Sequence, residues 1–120
     1  MKILGLDHIH FIIKDLEESL EFYTGLGFIS EKGTPSHIDS VGLRISPGGV
    51  ILEVQAPKPT ENPGHNHFAL LVEDLDAAIK ELKERGIDVE GPIDAPTGRR
   101  IANFRDPSGF LWQLVDLKKK

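Results

Sequence analysis

The sequence predicts an α+β fold made of two copies of one β-α-β-β-β module. The first observation is an internal repeat: the segment HIHFIIKDLEES, which begins at His8, resembles HFALLVEDLDAA, which begins 59 residues later at His67. The second is that each half passes from a β-branched stretch to a helical pattern and then to short extended stretches. The third is a segment rich in Pro, Gly and Asn, APKPTENPGHN from Ala56, which is typical of a linker.

The repeat extends through both halves. At the same offset it pairs four further residues: Asp15 with Asp74, Leu16 with Leu75, Gly27 with Gly86, and Glu31 with Glu90. Further along, SPGGVILEV aligns with DPSGFLWQL at an offset of 60, which pairs Glu53 with Gln113. Chance similarity between two ordinary α/β segments is the alternative. Matches at both ends, in the same order and at a nearly constant offset, favour a tandem duplication.

A length of 120 residues is enough for one domain with a buried core and too short for two. Hydrophobic residues make up 39% and charged residues 28%, which is ordinary for a soluble protein and far from the composition of disordered chains, so the fold must come from patterning. We expect a single domain over residues 1–120, with module 1 at about 1–56, the linker at about 57–64 and module 2 at about 65–117.

In the first half, residues 6–13 are β-branched and aromatic without a breaker, which predicts a strand. Asp15 follows at the position of a helix N-cap, and Glu18 completes a pattern like a capping box. Apolar residues then recur at helical spacing, at Leu16, Leu20 and Tyr23. Gly25 or Gly27 is expected to end this helix.

The second half repeats this order. Asp74 is expected to cap a helix that Gly86 ends, and Glu81 and Arg85 form an i,i+4 pair on it. Its apolar stripe consists of Leu75, Ala78, Ile79 and Leu82.

Three short extended stretches follow each helix. They lie at residues 27–32, 39–46 and 50–55 in the first half and at residues 87–91, 99–106 and 110–116 in the second. Prolyl-glycyl turns at Pro47 to Gly49 and at Pro107 to Gly109 predict that the last two strands of each half form hairpins.

Composition excludes several classes of function. The net charge of −5 and the dispersal of basic residues, apart from Lys118 to Lys120, make nucleic acid a poor candidate partner. The absence of cysteine excludes disulfides, zinc ribbons and thiol catalysis, so any bound metal must use nitrogen and oxygen ligands. The N-terminal segment meets polar residues too early for a signal peptide, and no apolar run approaches the roughly 20 residues of a membrane helix. We therefore expect a cytoplasmic protein with no membrane partner.

Side chains on a strand alternate between the two faces of its sheet. In the first strand three apolar residues share one face: Ile9, Phe11 and Ile13. The helix is expected to cover that face, which leaves His8 and His10 on the opposite, open face. The same alternation puts Glu53, His67 and Gln113 on the open side of their own strands, at equivalent positions in the two modules.

Two imidazoles, a carboxylate and a carboxamide oxygen form a ligand set suited to Zn, Ni, Co, Mn or Fe(II), with open positions for water or substrate. Each of these residues taken alone is more typical of an ordinary polar side chain than of a ligand, and only their symmetric placement favours a metal site. His10 and His65 are candidates for contacts to the ligands or the substrate, or for a plain surface role. His37, in a loop, is given no role.

Three segments, DHIHFIIKDLEESLEFYTGLGF, NHFALLVEDLDAAIKELKERGI and FRDPSGFLWQLV, resemble the signature segments of the vicinal-oxygen-chelate superfamily. That superfamily includes lactoylglutathione lyase (glyoxalase), methylmalonyl-CoA epimerase, extradiol dioxygenases, fosfomycin-resistance proteins and bleomycin-binding proteins. The resemblance covers nearly the whole chain. It implies paired βαβββ modules with curved mixed sheets around a shared cavity, and also a homodimer.

In the metalloenzymes of the superfamily, the ligands come from the first and last strands of each module, and the matching positions here are His8, Glu53, His67 and Gln113. The last of these positions is usually Glu, which often also serves as the catalytic base. Gln113 keeps an amide oxygen but cannot take a proton. This weighs against the fosfomycin-resistance and extradiol-dioxygenase activities and leaves Glu53 as the candidate base.

The resemblance to glyoxalases and epimerases implies a divalent-metal-dependent lyase or isomerase that removes a proton next to a carbonyl of a small oxygen-bearing substrate. Arg44, Arg99 and Arg100 lie on or beside strands and would either meet an anionic group or be surface charges. The alternative is a binding protein without catalysis, similar to the bleomycin-resistance proteins, in which an acidic protein holds a cationic ligand.

Overall fold

Two runs of the same five elements make up the chain. The structure, a computed structural model, describes residues 1–32, 40–44, 49–59, 61–96 and 98–119. The first run is β1 (Ile3–Ile12), α1 (Leu16–Gly25), β2 (Ile29–Lys32), β3 (Val41–Arg44) and β4 (Ile51–Gln55). The second is β5 (Gly64–Val72), α2 (Leu75–Glu84), β6 (Glu90–Asp94), β7 (Arg99–Arg105) and β8 (Leu111–Lys119). The predicted α+β class is confirmed.

The strands of the two halves join into one eight-stranded sheet, in the order β2-β3-β4-β1-β5-β8-β7-β6. In each half the first strand pairs in parallel with the last, β1 with β4 and β5 with β8, and the hairpin strands pair antiparallel. The halves meet at the antiparallel pair of β1 and β5. The sheet is therefore mixed, and its two central strands are the first strands of the two halves.

Both predicted helix N-caps are confirmed. The side chain of Asp15 accepts a hydrogen bond from the backbone N–H of Glu18 (2.9 Å), and that of Asp74 accepts from Ala77 (3.1 Å). Gly86 follows α2 with a φ of +79°, a conformation that favours glycine and ends the helix. Neither helix of the described chain is long or apolar enough to cross a membrane.

Strand β6 lies further along the chain than the stretch 87–91 that was predicted, because it begins at Glu90 and includes Pro92. Proline cannot donate a ladder hydrogen bond, so it is tolerated in an edge strand. β6 is the last strand of the sheet order, where this loss has no cost.

The predicted turn between β7 and β8 is confirmed and is held by Asp106. Its carboxylate accepts hydrogen bonds from the backbone N–H groups of Ser108 and Phe110 (both 3.0 Å) and from the indole N–H of Trp112 (3.2 Å). Desolvation raises the pKa of Asp106, but these hydrogen bonds outweigh it and the pKa lies below its ordinary value. The turn thereby fixes the start of β8. Most of the corresponding turn predicted at residues 47–49 lies outside the described residues.

The two helices contribute unequally to the core. α2 packs on one face of the sheet in a cluster formed by Val72, Leu75, Ala78, Ile79, Leu82, Ala102 and Leu114. The predicted stripe of α1, Leu16, Leu20 and Tyr23, is only partly buried, so the expectation that a helix covers the apolar face holds for α2 and holds in part for α1. Phe22 and Leu26 are 62% and 66% exposed, because they lie on a second stripe roughly 100° around the helix from the predicted one.

The opposite face of the sheet, which we call the site face, is buried and not open as predicted. His8 and Glu53 are fully buried, and His67 and Gln113 are each 3% exposed. A second apolar cluster lies on this face and consists of Ala69, Ala95, Ile101 and Val115. Its members come from four neighbouring strands or their ends, so the sheet must curve for them to meet. Alternation predicts which residues share a face but not what covers that face.

Substitution of Leu114 by Ala is expected to lower the free energy of unfolding by about 2 to 5 kcal/mol, because Leu114 is fully buried and a cavity would remain. Leu117→Ala is the matched control on the same strand. Leu117 is half exposed, so its loss should stay below about 1 kcal/mol. Urea unfolding followed by the fluorescence of Trp112, the one tryptophan, measures both. Equal losses would contradict the placement of Leu114 in the core.

Candidate functional site

Two rows of cross-strand neighbours carry the residues that the sequence singled out. The first row runs from β4 through β1 to β5 and consists of Glu53, His10 and His67. The second runs from β8 through β5 to β1 and consists of Gln113, Ala69 and His8. The repeat relates the rows member by member, since each has an oxygen donor at one end and a histidine at the other.

The rows meet where the two histidines face each other. The Nε2 atoms of His8 and His67 are 3.2 Å apart, and Nε2 of His8 is 3.3 Å from Oε1 of Glu53. One ligand-type atom of each of these three residues lies within 4.8 Å of the others, and all three side chains are buried. We call His8, Glu53 and His67 the donor cluster.

Each histidine of the donor cluster is anchored by the residue that precedes it. Nδ1 of His8 lies 2.8 Å from a carboxylate oxygen of Asp7, and Nδ1 of His67 lies 2.7 Å from the amide oxygen of Asn66. Burial raises the pKa of Asp7, but the hydrogen bond with His8 and the charge of Arg99 outweigh it, so the pKa of Asp7 lies below its ordinary value. Asp7 is therefore ionised at neutral pH and accepts the Nδ1–H of His8.

This anchoring decides what the cluster can bind. A neutral imidazole that carries its proton on Nδ1 presents Nε2 as a ligand atom, and here the two Nε2 atoms face each other 3.2 Å apart. A carboxylate oxygen of Glu53 lies beside them, so three electron-pair donors converge in a buried space. Such a convergence is stabilised by a cation between the donors, and hydrogen bonds from Nδ1 to oxygen acceptors are the usual outer support of metal-bound histidines.

Gln113 lies on the same face, two strands away from His8, with the small Ala69 between them. Its Nε2 donates to the side-chain oxygen of Asn103 (3.4 Å), and Nδ2 of Asn103 donates to Glu90 (3.3 Å). Because a carboxylate only accepts, this chain of hydrogen bonds sets the direction of both amides. It leaves Oε1 of Gln113 buried and, among the residues that the structure describes, without a hydrogen-bond partner.

The surface role considered for His10 is wrong, since this side chain is 1% exposed. Its Nδ1 lies 2.9 Å from Oε1 of Glu53 and its Nε2 lies 3.0 Å from Oε1 of Gln55. His65 is exposed and contacts aromatic rings on β1 and β5 instead of the donor cluster. His37 lies outside the described residues.

Of the three arginines considered as anion contacts, Arg100 joins β7 to α2 through an ion pair with Asp76 (2.9 Å). Arg44 pairs with a glutamate of β2 (2.7 Å), and Arg99 pairs with Asp7 (3.3 Å). Arg44 and Arg99 line a cavity of about 270 Å³ that also reaches Asp7. A larger cavity of about 910 Å³ lies between the end of α2 and β6–β7, and no member of the donor cluster lines it.

The profile of the Glyoxalase/Bleomycin resistance protein/Dioxygenase superfamily matches residues 5–114. This chain belongs to that superfamily. The resemblance carried by its sequence segments is thereby confirmed.

Three proteins illustrate the relationship. Uncharacterized protein YwkD of Bacillus subtilis (strain 168) is 36% identical over 128 residues, which cover 97% of this chain and 99% of that protein. The structure of methylmalonyl-CoA epimerase from Mycobacterium tuberculosis superposes with a TM-score of 0.77 at 24% identity, over 95% of this chain and 88% of that one, and shows the shared fold. A Streptomyces coelicolor methylmalonyl-CoA epimerase variant in complex with 2-nitronate-propionyl-CoA has a TM-score of 0.69 at 25% identity. The match covers 96% of this chain and 98% of that one.

The alternation and repeat patterns were not used to predict the roles of Asp7 and Asn66, although the repeat pairs these two residues. They stand 59 residues apart, directly before the paired histidines, so the repeat that singled out His8 and His67 also pairs their anchors. Asn103 had no such signal, because its contact with Gln113 depends on the register of β7 against β8. That register is fixed by the turn and by packing.

Proposed function

We propose that this protein is a divalent-metal-dependent enzyme of the glyoxalase- or epimerase-like lyase or isomerase type, acting on a small oxygen-bearing substrate. The observation that carries the proposal is the buried convergence of His8, Glu53 and His67, with both imidazoles anchored through Nδ1. The two Nε2 atoms and a carboxylate oxygen of Glu53 lie close enough together for one cation to contact all three residues. The superfamily resemblance supports the same proposal, and with it a homodimer. The cytoplasmic location expected from the sequence stays a prediction.

The residues fit a divalent metal ion in chemistry as well as in position. His8, Glu53, His67 and Gln113 would hold it with two nitrogens and two oxygens, a set suited to Zn, Ni, Co, Mn or Fe(II). The buried Oε1 of Gln113 supports its inclusion. A buried oxygen without a partner costs about 1 to 3 kcal/mol, and a bound cation would remove that cost.

A divalent ion bound there would polarise the substrate's oxygen atoms and stabilise the negative charge that develops on them. The chain itself would supply the base. Glu53 is the candidate, because its carboxylate can accept a proton whereas the amide of Gln113 cannot. Burial of the site would keep bulk water from the reacting carbon.

The substrate class follows from the reaction type. Removal of a proton next to a carbonyl requires a substrate with that carbonyl and a neighbouring oxygen to bind. The Streptomyces coelicolor epimerase binds a nitronate analogue of an acyl-CoA, which makes acyl-CoA esters one class to test. Methylglyoxal hemithioacetal is the corresponding test compound for a glyoxalase-like reaction.

Protein purified without added metal is expected to contain about one divalent ion per chain by elemental mass spectrometry, and Glu53→Ala and His67→Ala should each lose most of it. Removal of one ligand leaves too few donors to hold the ion. His65→Ala is the matched control, because His65 lies on the same strand as His67 but is exposed.

Unchanged metal content in both variants would overturn the proposal. Binding of a cationic glycopeptide that persists in chelator, measured by calorimetry, would instead support the non-catalytic binding protein.

Glu53→Gln tests the base separately from the ligand. The amide keeps an oxygen donor of the same length but cannot take a proton. Exchange of substrate hydrogen for deuterium in D₂O, followed by NMR, is therefore expected to slow by about 10²- to 10⁴-fold. Bound metal should fall much less. An exchange rate equal to that of the wild type would show that another group removes the proton.

Asn103→Leu is expected to weaken metal binding by about 10- to 100-fold, because it removes the acceptor that fixes the Gln113 amide through its Nε2. Asn103→Asp combined with Glu90→Gln is the matched control: a carboxylate oxygen can still accept from Nε2 of Gln113, and the new amide at position 90 donates in the reverse direction where Asn103 donated to Glu90. Competition with a chelator of known affinity measures both variants. Equal losses in the two would mean that Asn103 does not act through the orientation of Gln113.

A further inference from the structure

The two rows of the site differ at their middle position. His10 stands in the first row where the repeat places Ala69 in the second. Both are buried, at 1% and 0% exposure. A backbone that accepts a methyl group in one half therefore holds a full imidazole in the other, so the fold itself does not demand a histidine there.

The imidazole of His10 touches two of the three members of the donor cluster. Nδ1 lies 2.9 Å from Oε1 of Glu53, and since a carboxylate only accepts, this nitrogen donates. The ring also stacks on that of His67, with centroids 4.8 Å apart and planes inclined by 7°. On its far side, Nε2 lies 3.0 Å from Oε1 of Gln55. His10 thus joins the oxygen donor of its row to the nitrogen donor.

We propose that His10 is a positioning residue that fixes the Glu53 carboxylate and the His67 ring relative to each other. The terminal torsion of a glutamate is broad, so a carboxylate without a fixed donor turns freely. The hydrogen bond from Nδ1 restricts that rotation, and the parallel stack restricts the plane of His67. This inference rests on the proposed function, because it assigns a role toward the same metal site.

The second row has a different device for the same task. Gln113 is oriented from its outer side by Asn103, which is itself held by Glu90. Ala69 in the middle of that row therefore carries no polar group. Asn103 thus contacts the oxygen donor of the second row, and His10 contacts Glu53, the oxygen donor of the first.

Three substitutions of His10 separate positioning from packing. His10→Ala copies the second row. His10→Asn places an N–H where Nδ1 of histidine lies, and His10→Gln places one where Nε2 lies. Titration of metal-free protein with Co(II), against a competing chelator, is expected to show an affinity about 10- to 100-fold lower for the Ala and Gln variants. The Asn variant should stay close to the wild type, and the visible spectrum of its bound Co(II) should be unchanged.

Two results would overturn the proposal: wild-type affinity in His10→Ala, or an Asn variant as weak as the Ala variant. Urea unfolding of the metal-free variants gives the control. If His10 only packed, the substitutions would change stability, but the Asn variant would not bind metal more tightly than the Ala and Gln variants.

A measurement without metal keeps this inference distinct from the proposed function. In metal-free wild type, the Nδ1–H of His10 should give a hydrogen-bonded NMR signal that Glu53→Ala abolishes. Persistence of that signal in the variant would refute the contact whether or not the protein binds metal. If the wild type fails to bind Co(II) but Glu53→Ala abolishes the His10 signal as expected, the metal site is refuted and the contact of His10 with Glu53 is supported.

Discussion

The antiparallel pairing of β1 with β5 is the contact on which the site depends. These strands are the first of each half, and their pairing places His8 and His67 with their Nε2 atoms 3.2 Å apart. The parallel pairs of β1 with β4 and of β5 with β8 then bring Glu53 and Gln113 into line with these histidines. A slip of one residue in any of these registers would turn the affected side chains to the opposite face. The geometry of the site is therefore a consequence of strand register more than of loop structure.

Much of this arrangement could be predicted from the sequence, because it depends on two local periodicities and one repeat. Alternation along the strands assigned His8 and Glu53 to one face, and the 59-residue offset transferred that assignment to His67. The helix caps at Asp15 and Asp74 were predictable for a similar reason, since a cap is a contact between residues close in the chain. The order of elements followed from the same signals.

What could not be predicted depends on contacts between distant parts of the chain. Burial of the site face arises from curvature of the whole sheet, and no local pattern encodes it. The partial packing of α1, which leaves Phe22 and Leu26 mostly exposed, depends on how the helix lies against the sheet and not on its own periodicity. The contact of His10 with Glu53, 43 residues away, needs the register of β1 with β4. For this reason periodicity alone left a surface role for His10 open.

Duplication of a module produces two equivalent half-sites, but a metal site on such a scaffold need not be symmetric in charge. In this chain the repeat pairs Glu53 with Gln113, so the proposed ligand set contains a single carboxylate. Two neutral imidazoles, one neutral amide and one carboxylate would not by themselves neutralise a divalent ion, so the ion and its ligands would together keep a positive charge, with Asp7 and its partner Arg99 lying behind His8. In a buried site such a charge acts strongly on a substrate oxygen. The middle residue of each row matches the oxygen donor beside it. The carboxylate of Glu53 has the hydrogen-bond donor His10 next to it, and the neutral amide of Gln113 has the methyl group of Ala69.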